Sequence, residues 1–452
     1  MHFQILARPA VHAITLISIL CASCAKDPEQ RPSPLDYSRT KPTAGNGART
    51  LCVFMDGTAN DYDSHTNVRR LYEMISARRD PKVLCYYDHG VGSNELPISG
   101  MIGGAGFSKN ISQAYTFLRE NYSKQRGDKI YMFGYSRGAR QVQVLCDVLN
   151  ECGLAKKNGE GSSYRTGDPT LAEARKILRE YKDRREKRAK GEALPAINGN
   201  WTRPEIELVG NFECVETMAN NVWRIARVGK LNDGDYQDHK SYSYTLPRNV
   251  KESYHALSLD EKRGLYEGIE WVRPAPSVQG QVIEEVWFAG SHGDVGGGYQ
   301  NSQSLSAFPL NWMIGKLDKH DLIPGKIRVH TDEETPGTDS TQFTVAGKVL
   351  GKLRGVKPRC KQLWNDAYED PKFPGSLAKA DLRKVHPKVH QSVIDRMKGE
   401  EIYNADGNTP SEIKKYRPEL FECYYSAQSS GGNRDVNFTK LREDIQIVPI
   451  TD

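Results

Sequence analysis

Gly134-Tyr135-Ser136-Arg137-Gly138 fits the pattern G-x-S-x-G, between an apolar run at Ile130-Tyr131-Met132-Phe133 and a helical pattern at Val142, Leu145 and Leu149. That context suits a nucleophilic serine. A hydroxyl presented at a sharp strand-to-helix turn needs small neighbours, and the next backbone N–H, that of Arg137, then points at the space where an oxyanion forms. Such a serine needs a base, and the base needs an acid to orient it. His292, in Ser291-His292-Gly293-Asp294-Val295-Gly296-Gly297-Gly298-Tyr299, follows the apolar run Val286 to Ala289, so it falls on a loop at the carboxyl edge of a strand. Open α/β sheets assemble their sites on that edge. In the chain order Ser, acid, His, the first choice for the acid is Glu213, at the end of a strand beginning at Ile206, and Asp294 is its rival. Chemistry of this kind, acyl transfer to water, requires no metal and no organic cofactor.

Asp56-Gly57-Thr58, directly after the apolar run Leu51 to Met55, reads as a plain turn or as the source of a second oxyanion N–H from Gly57 or Thr58. A phosphatase D-x-D-G-T reading fails, because the nucleophile's position holds Phe54. Asp56, Asn60, Asp61 and Asp63 do not reproduce a calcium loop and read as a polar turn. No CxxC pair follows Cys21 and Cys24, so neither a zinc framework nor a thioredoxin motif is indicated, and disulfides are not assigned.

These residues need elements to hold them. Apolar runs at 51–55, 83–87, 130–133, 206–209 and 286–289 read as strands buried on both faces. Between them lie helical patterns: one opened by Thr66, one carrying Ile111, Tyr115, Leu118 and Tyr122 on a single face, and one after Ser136. Strands and helices in alternation predict an α/β fold of the α/β-hydrolase type, with a mostly parallel sheet, helices on both faces and insertions. The predicted domain covers residues 47–425, with a basic helical insertion at about 155–200, a peripheral region at about 322–425 and a tail at 426–452. Within the insertion, Leu171, Ala174, Leu178 and Tyr181 recur at helical spacing on a segment dense in Lys and Arg. Such a segment is a solvated helix face, a lid, or a contact for anionic lipid.

The chain is 452 residues long and 38% hydrophobic, which is too apolar for disorder and long enough for a large core. Lys and Arg number 63 against 57 Asp and Glu, a net +6 that falls short of a nucleic-acid signature. Residues 1–24 run from a positive start through an apolar stretch to small residues, the order of a secretory signal. Leu20-Cys21-Ala22-Ser23-Cys24 resembles a bacterial lipoprotein box. The expected location is therefore the bacterial cell envelope, with anchoring through Cys24, or export as a soluble protein. Residues 25–46, rich in Pro, Ser and charge, read as a flexible tether.

Taken together, the stretches VFMDGTAND with TNVRRLYEMI, YYDHGVGS, GGAGFSKNISQAYTFLRENY, IYMFGYSRGAR, YHALSLDEKR, VWFAGSHGDVGGGY, VHQSVIDRM and YRPEL resemble the type VI secretion phospholipase effectors of the first Tle class. The resemblance implies a serine lipase fold, Ser136 as nucleophile and His292 as the histidine before the DVGGGY run. It also marks His255, in YHALSLDE, as a family-type histidine and an alternative base. It further implies a phospholipid or other acyl-ester substrate and a membrane surface. Relatives usually carry Asp in a GVWDTV-like segment where this chain has Gly210-Asn211-Phe212-Glu213-Cys214-Val215. The extra methylene moves the carboxylate by more than about an ångström unless the backbone compensates. The other reading of the chain is a non-catalytic envelope lipoprotein that keeps the hydrolase scaffold as a binding module.

Overall fold

Eight parallel strands make one sheet in a computed structural model of the chain. The model describes residues 47–57, 64–90, 105–155, 169–194, 201–215, 242–261, 271, 277–299, 303–323, 325 and 327–329. Farther along it describes 368–369, 377–378, 388–398, 401–402, 413–414 and 445–450. The strands are β1 (Thr50–Met55), β2 (Val83–Asp88), β3 (Lys129–Tyr135), β4 (Ile206–Phe212), β5 (Val250–Ser258), β6 (Val282–Phe288), β7 (Lys388–His390) and β8 (Gln446–Val448), in the spatial order 2-1-3-4-5-6-7-8. The helices are α1 (Asn67–Ser76), α2 (Ala105–Asn121), α3 (Arg137–Glu151), α4 (Pro169–Ala189), α5 (His292–Gly296), α6 (Gln303–Leu317) and α7 (Gln391–Lys398).

Strand β1 shows why the sheet is covered on both sides. Leu51, Val53 and Met55 pack into one core with residues of α2, α3 and α4, while Cys52 and Phe54 pack into a second core with α1 and α6. With no polar face, such a strand is stable only between two helical layers. From β1 the chain moves outward to β2, then crosses back to β3 on the other side and continues outward in order. This reversal is a topological switch point, and the crevice beyond the carboxyl ends of β1 and β3 is where such sheets bind ligands. The Gly57 turn and Ser136 lie at those two ends.

Thr66 caps α1, its hydroxyl accepting the Arg69 N–H. In the basic insertion, α4 buries Ala174, Ile177, Leu178 and Tyr181 and exposes Arg175, Lys176 and Arg179. It is fastened to α3 by the Tyr181 hydroxyl donating to Asp147 and by two 2.7 Å bonds from Arg188 to the Glu151 carboxylate.

Three strands of the sheet do not read as strands in the sequence. Strand β5, VKESYHALS, carries Lys251, Glu252 and His255, whose polar groups are met by Glu207, by Lys319 with His320, and by Glu285. Tertiary pairing replaces the apolar pattern there. Strands β7 and β8 are three residues each and come from the stretches read as periphery and tail, held by pairing along the sheet edge. The expected signal and tether fall outside the described residues, as do parts of the insertion and of the periphery. Among the described residues, no helix is long and apolar enough to cross a membrane.

Candidate active site

Ser136 stands between the end of β3 and the start of α3 with φ 57° and ψ −126°. A positive φ is unfavourable for a residue with a side chain and persists only where neighbours enforce it. Here they do so by close approach. A Cβ on Gly134 would sit 2.4 Å from the Ala139 Cα, and one on Gly138 would sit 2.1 Å from the Met55 carbonyl oxygen. The two glycines of the motif thus let β3, α3 and the neighbouring β1 meet at one point. The Ser136 N–H donates to the Phe212 carbonyl at 3.1 Å, which ties the turn to β4.

Across the sheet edge, His292 opens the short helix α5 directly after β6. Its Nε2 lies 2.9 Å from Ser136 Oγ, and its Nδ1 lies 3.1 Å from Glu213 Oε2. Glu213 follows β4 on a left-handed backbone, φ 45°, and is fully buried. Its other oxygen accepts the Ser258 N–H at 2.6 Å, so both carboxylate oxygens are engaged. The carboxylate of this longer side chain therefore reaches the imidazole. Tyr135 packs its ring against His292, centroids 4.9 Å apart, and its hydroxyl donates to the His292 carbonyl.

The remaining sequence candidates separate in space. Asp294 accepts the Ser291 N–H and hydroxyl at 2.8 and 2.9 Å, the capping box of α5, and so serves the helix that carries His292. His255 lies in β5, where its Nε2 accepts the Cys214 N–H at 3.1 Å and its Nδ1 faces Glu285 at 3.2 Å. The ring is fully buried, with both nitrogens engaged away from Ser136. Arg137 is the first residue of α3, beside Ser136. The Gly57 N–H donates to Asp56 Oδ1 at 2.7 Å; Thr58 lies outside the described residues. Asp56 itself is buried, its second oxygen accepting the Thr66 and Tyr87 hydroxyls at 2.5 and 2.7 Å. Burial first, and then this carboxylate, push the Tyr87 phenol well above its ordinary range. Phe54 stacks on Phe133 in the core, centroids 5.1 Å apart. Among the described residues, no group of three or more His, Cys, Asp and Glu side chains could hold a metal.

Sequence reasoning missed the groups that hold this arrangement. Glu261 accepts the His292 N–H through Oε2 at 3.2 Å, Asp260 accepts the Gly290 N–H at 2.6 Å, and Ser258 supplies its N–H to Glu213. All three lie in the SLDE part of YHALSLDEKR, whose role is visible only once β5 is placed between β4 and β6. One loop thereby fixes both the histidine and the carboxylate.

The sequence model of one family, described as "T6SS, Phospholipase effector Tle1-like, catalytic domain", matches residues 49–316. A stretch of 143 residues is 28% identical to an uncharacterized protein of Saccharomyces cerevisiae and covers 28% of this chain and 21% of the yeast protein. The crystal structure of an uncharacterized protein from Pseudomonas aeruginosa aligns with a TM-score of 0.39 and 16% identity, over 69% of this chain and 51% of that one. The Tle1 effector bound to the VgrG spike of the type 6 secretion system aligns with a TM-score of 0.32 and 17% identity, over 56% of this chain and 52% of that one. The matched region thus spans about half the length of each of these two structures and about a fifth of the yeast protein.

Proposed function

The chain belongs to the Tle1-like phospholipase effector family through its catalytic domain, and from that premise we propose that it is a serine hydrolase of acyl esters, a phospholipase or lipase. One observation supports this reading above the others: His292 stands between Ser136, at 2.9 Å, and Glu213, at 3.1 Å, in the order nucleophile, base, acid.

In the proposed reaction Ser136 Oγ attacks the ester carbonyl carbon while its proton passes to His292 Nε2. Glu213 accepts from Nδ1–H, which selects the tautomer with Nε2 free and stabilises the imidazolium. The Arg137 N–H holds the developing oxyanion. Gly57 can join it only when its N–H leaves Asp56 Oδ1, and Thr58 is the other candidate donor. His292 then protonates the departing alcohol oxygen, which for a glycerophospholipid is that of the lysolipid. Water, deprotonated by the same nitrogen, releases the fatty acid and restores Ser136.

The proposed place of action is the envelope, with Cys24 as a lipidated anchor and a membrane surface as the source of substrate. Radioactive palmitate should label the expressed wild type and not Cys24→Ala; equal labelling removes the anchor. Hydrolysis is tested on mixed-phospholipid liposomes and a short-chain nitrophenyl ester, with Ser136→Ala beside the wild type. Release of fatty acid by the wild type and a loss of roughly 10³-fold or more in the variant are expected. A folded wild type that cleaves neither substrate would sink the enzymatic reading and leave the scaffold as a binding module.

A further inference from the structure

The turn that carries Glu213 is left-handed at that residue, φ 45°, so it needs anchors. Glu213 N donates to the Ala256 carbonyl at 2.8 Å, and the next N–H, of Cys214, donates to His255 Nε2 at 3.1 Å. The first anchor is backbone of β5; the second is a side chain of β5. His255 stands opposite Asn211 in the pairing of β4 with β5, two residues before Glu213 in β4's direction, so its ring lies under the turn.

The direction of the Cys214 bond fixes the histidine's tautomer. Nε2 accepts, so the ring proton is on Nδ1, and Nδ1–H faces Glu285 Oε1 at 3.2 Å. The same Glu285 oxygen accepts the Trp271 N–H at 3.0 Å. A chain of bonds therefore runs from Trp271 and Glu285 through His255 to Cys214, next to the carboxylate that faces His292. A buried imidazole with both nitrogens satisfied specifies orientation in a way that an apolar side chain of equal size does not.

We infer that His255, oriented by Glu285, is a positioning residue for hydrolysis: by accepting the Cys214 N–H it sets the Glu213 turn and so the carboxylate against His292. This rests on the reading of Glu213 as the triad acid. It assigns the histidine of YHALSLDE a role distinct from that of a base, and acting only through Glu213.

Two substitutions separate its two bonds. In His255→Gln the side-chain carbonyl reaches the place of Nε2 and accepts from Cys214. In His255→Asn the amide reaches the place of Nδ1, keeps the donor to Glu285 and leaves the Cys214 N–H without its acceptor. Steady-state kinetics of the full chain on a short-chain nitrophenyl ester should show the Gln variant within a few-fold of wild type. The Asn variant should lose roughly 10- to 100-fold in kcat with KM unchanged, as displaced catalytic groups do. Equal activities in the two variants, or a loss carried by KM, would overturn the inference. If thermal melts show that either variant does not fold, Glu285→Gln and Glu285→Leu replace the pair. Gln keeps an acceptor for Nδ1–H and Leu does not, so kcat should fall in Leu alone, and equal values again overturn it. Activity surviving in Ser136→Ala or Glu213→Gln would instead sink the triad reading, a result distinct from failure of the His255 pair alone.

Discussion

At the residue scale, Glu213 has one oxygen on the Ser258 N–H and the other on the imidazole. Glu213→Gln keeps the volume but places an amide group against Nδ1. If its NH₂ donates there, the ring proton moves to Nε2 and that nitrogen cannot accept from Ser136. A fall in kcat of roughly 10³- to 10⁴-fold is expected, with the melting temperature little changed. Steady-state kinetics beside calorimetry check it; a small kcat effect would remove Glu213 from the mechanism. Gly138 is decided by space. A methyl there would meet the Met55 carbonyl oxygen at 2.1 Å, a backbone atom of β1, which β2 and β3 hold from both sides. Gly138→Ala should therefore destabilise the fold by several kcal/mol, the size seen for overpacking at its upper end. Urea unfolding measures it, and a loss below about 1 kcal/mol would mean that α3 shifts freely over β1.

At the element scale, the docking of α4 on α3 passes through a buried acid. Asp147 is raised from 3.8 to about 6, first by burial, against the opposing effect of Arg185 and the Tyr181 hydroxyl. Because the folded value is the higher one, the native state holds the proton more tightly than the unfolded chain. The stability from this group is thus fully present below about pH 4 and is lost as pH rises to about 6. Two pH units at about 1.4 kcal/mol each make the change roughly 3 kcal/mol. Asp147→Asn keeps an acceptor for Tyr181 and has no charge to bury. The variant's stability relative to wild type should rise between pH 4 and 6 and then level off in urea titrations; a flat difference would mean that the acid is solvated or fully paired by Arg185. Arg188 with Glu151, at two bonds of 2.7 Å, supports the same contact from its partly exposed end.

At the scale of the whole molecule, the far half of the sheet titrates in the opposite sense. His390, at the end of β7, stacks on Phe288 with centroids 4.7 Å apart, and burial lowers it from 6.5 to about 4. The unfolded chain takes up its proton first, so this contribution is intact above about pH 6.5 and is lost as pH falls towards 4. His390→Asn retains a polar atom near Ser392, which now faces Nδ1 at 2.8 Å, and removes the titration. Wild type should lose stability relative to this variant as pH falls through that window, read from melting temperatures at matched ionic strength; parallel curves would place His390 in contact with water.

The alternation of apolar runs determined by itself that this chain is an α/β protein, because strands such as LCVFM have no polar face to show to water and must lie between helices. G-x-S-x-G marked Ser136 because its glycines answer a local steric demand, legible wherever a strand precedes and a helix follows. The places of Glu213 and His292 just beyond the ends of their strands were legible from chain order. Strand β5 was not, since its Lys251, Glu252 and His255 are made tolerable by partners 30 to 68 residues away. Only the tertiary structure decided that Asp294 caps α5, that the Gly57 N–H faces Asp56, and that His255 accepts the Cys214 N–H. Those outcomes are set by hydrogen bonds between neighbouring strands and loops, and a pairing across a sheet leaves no period in the sequence for a reader to find.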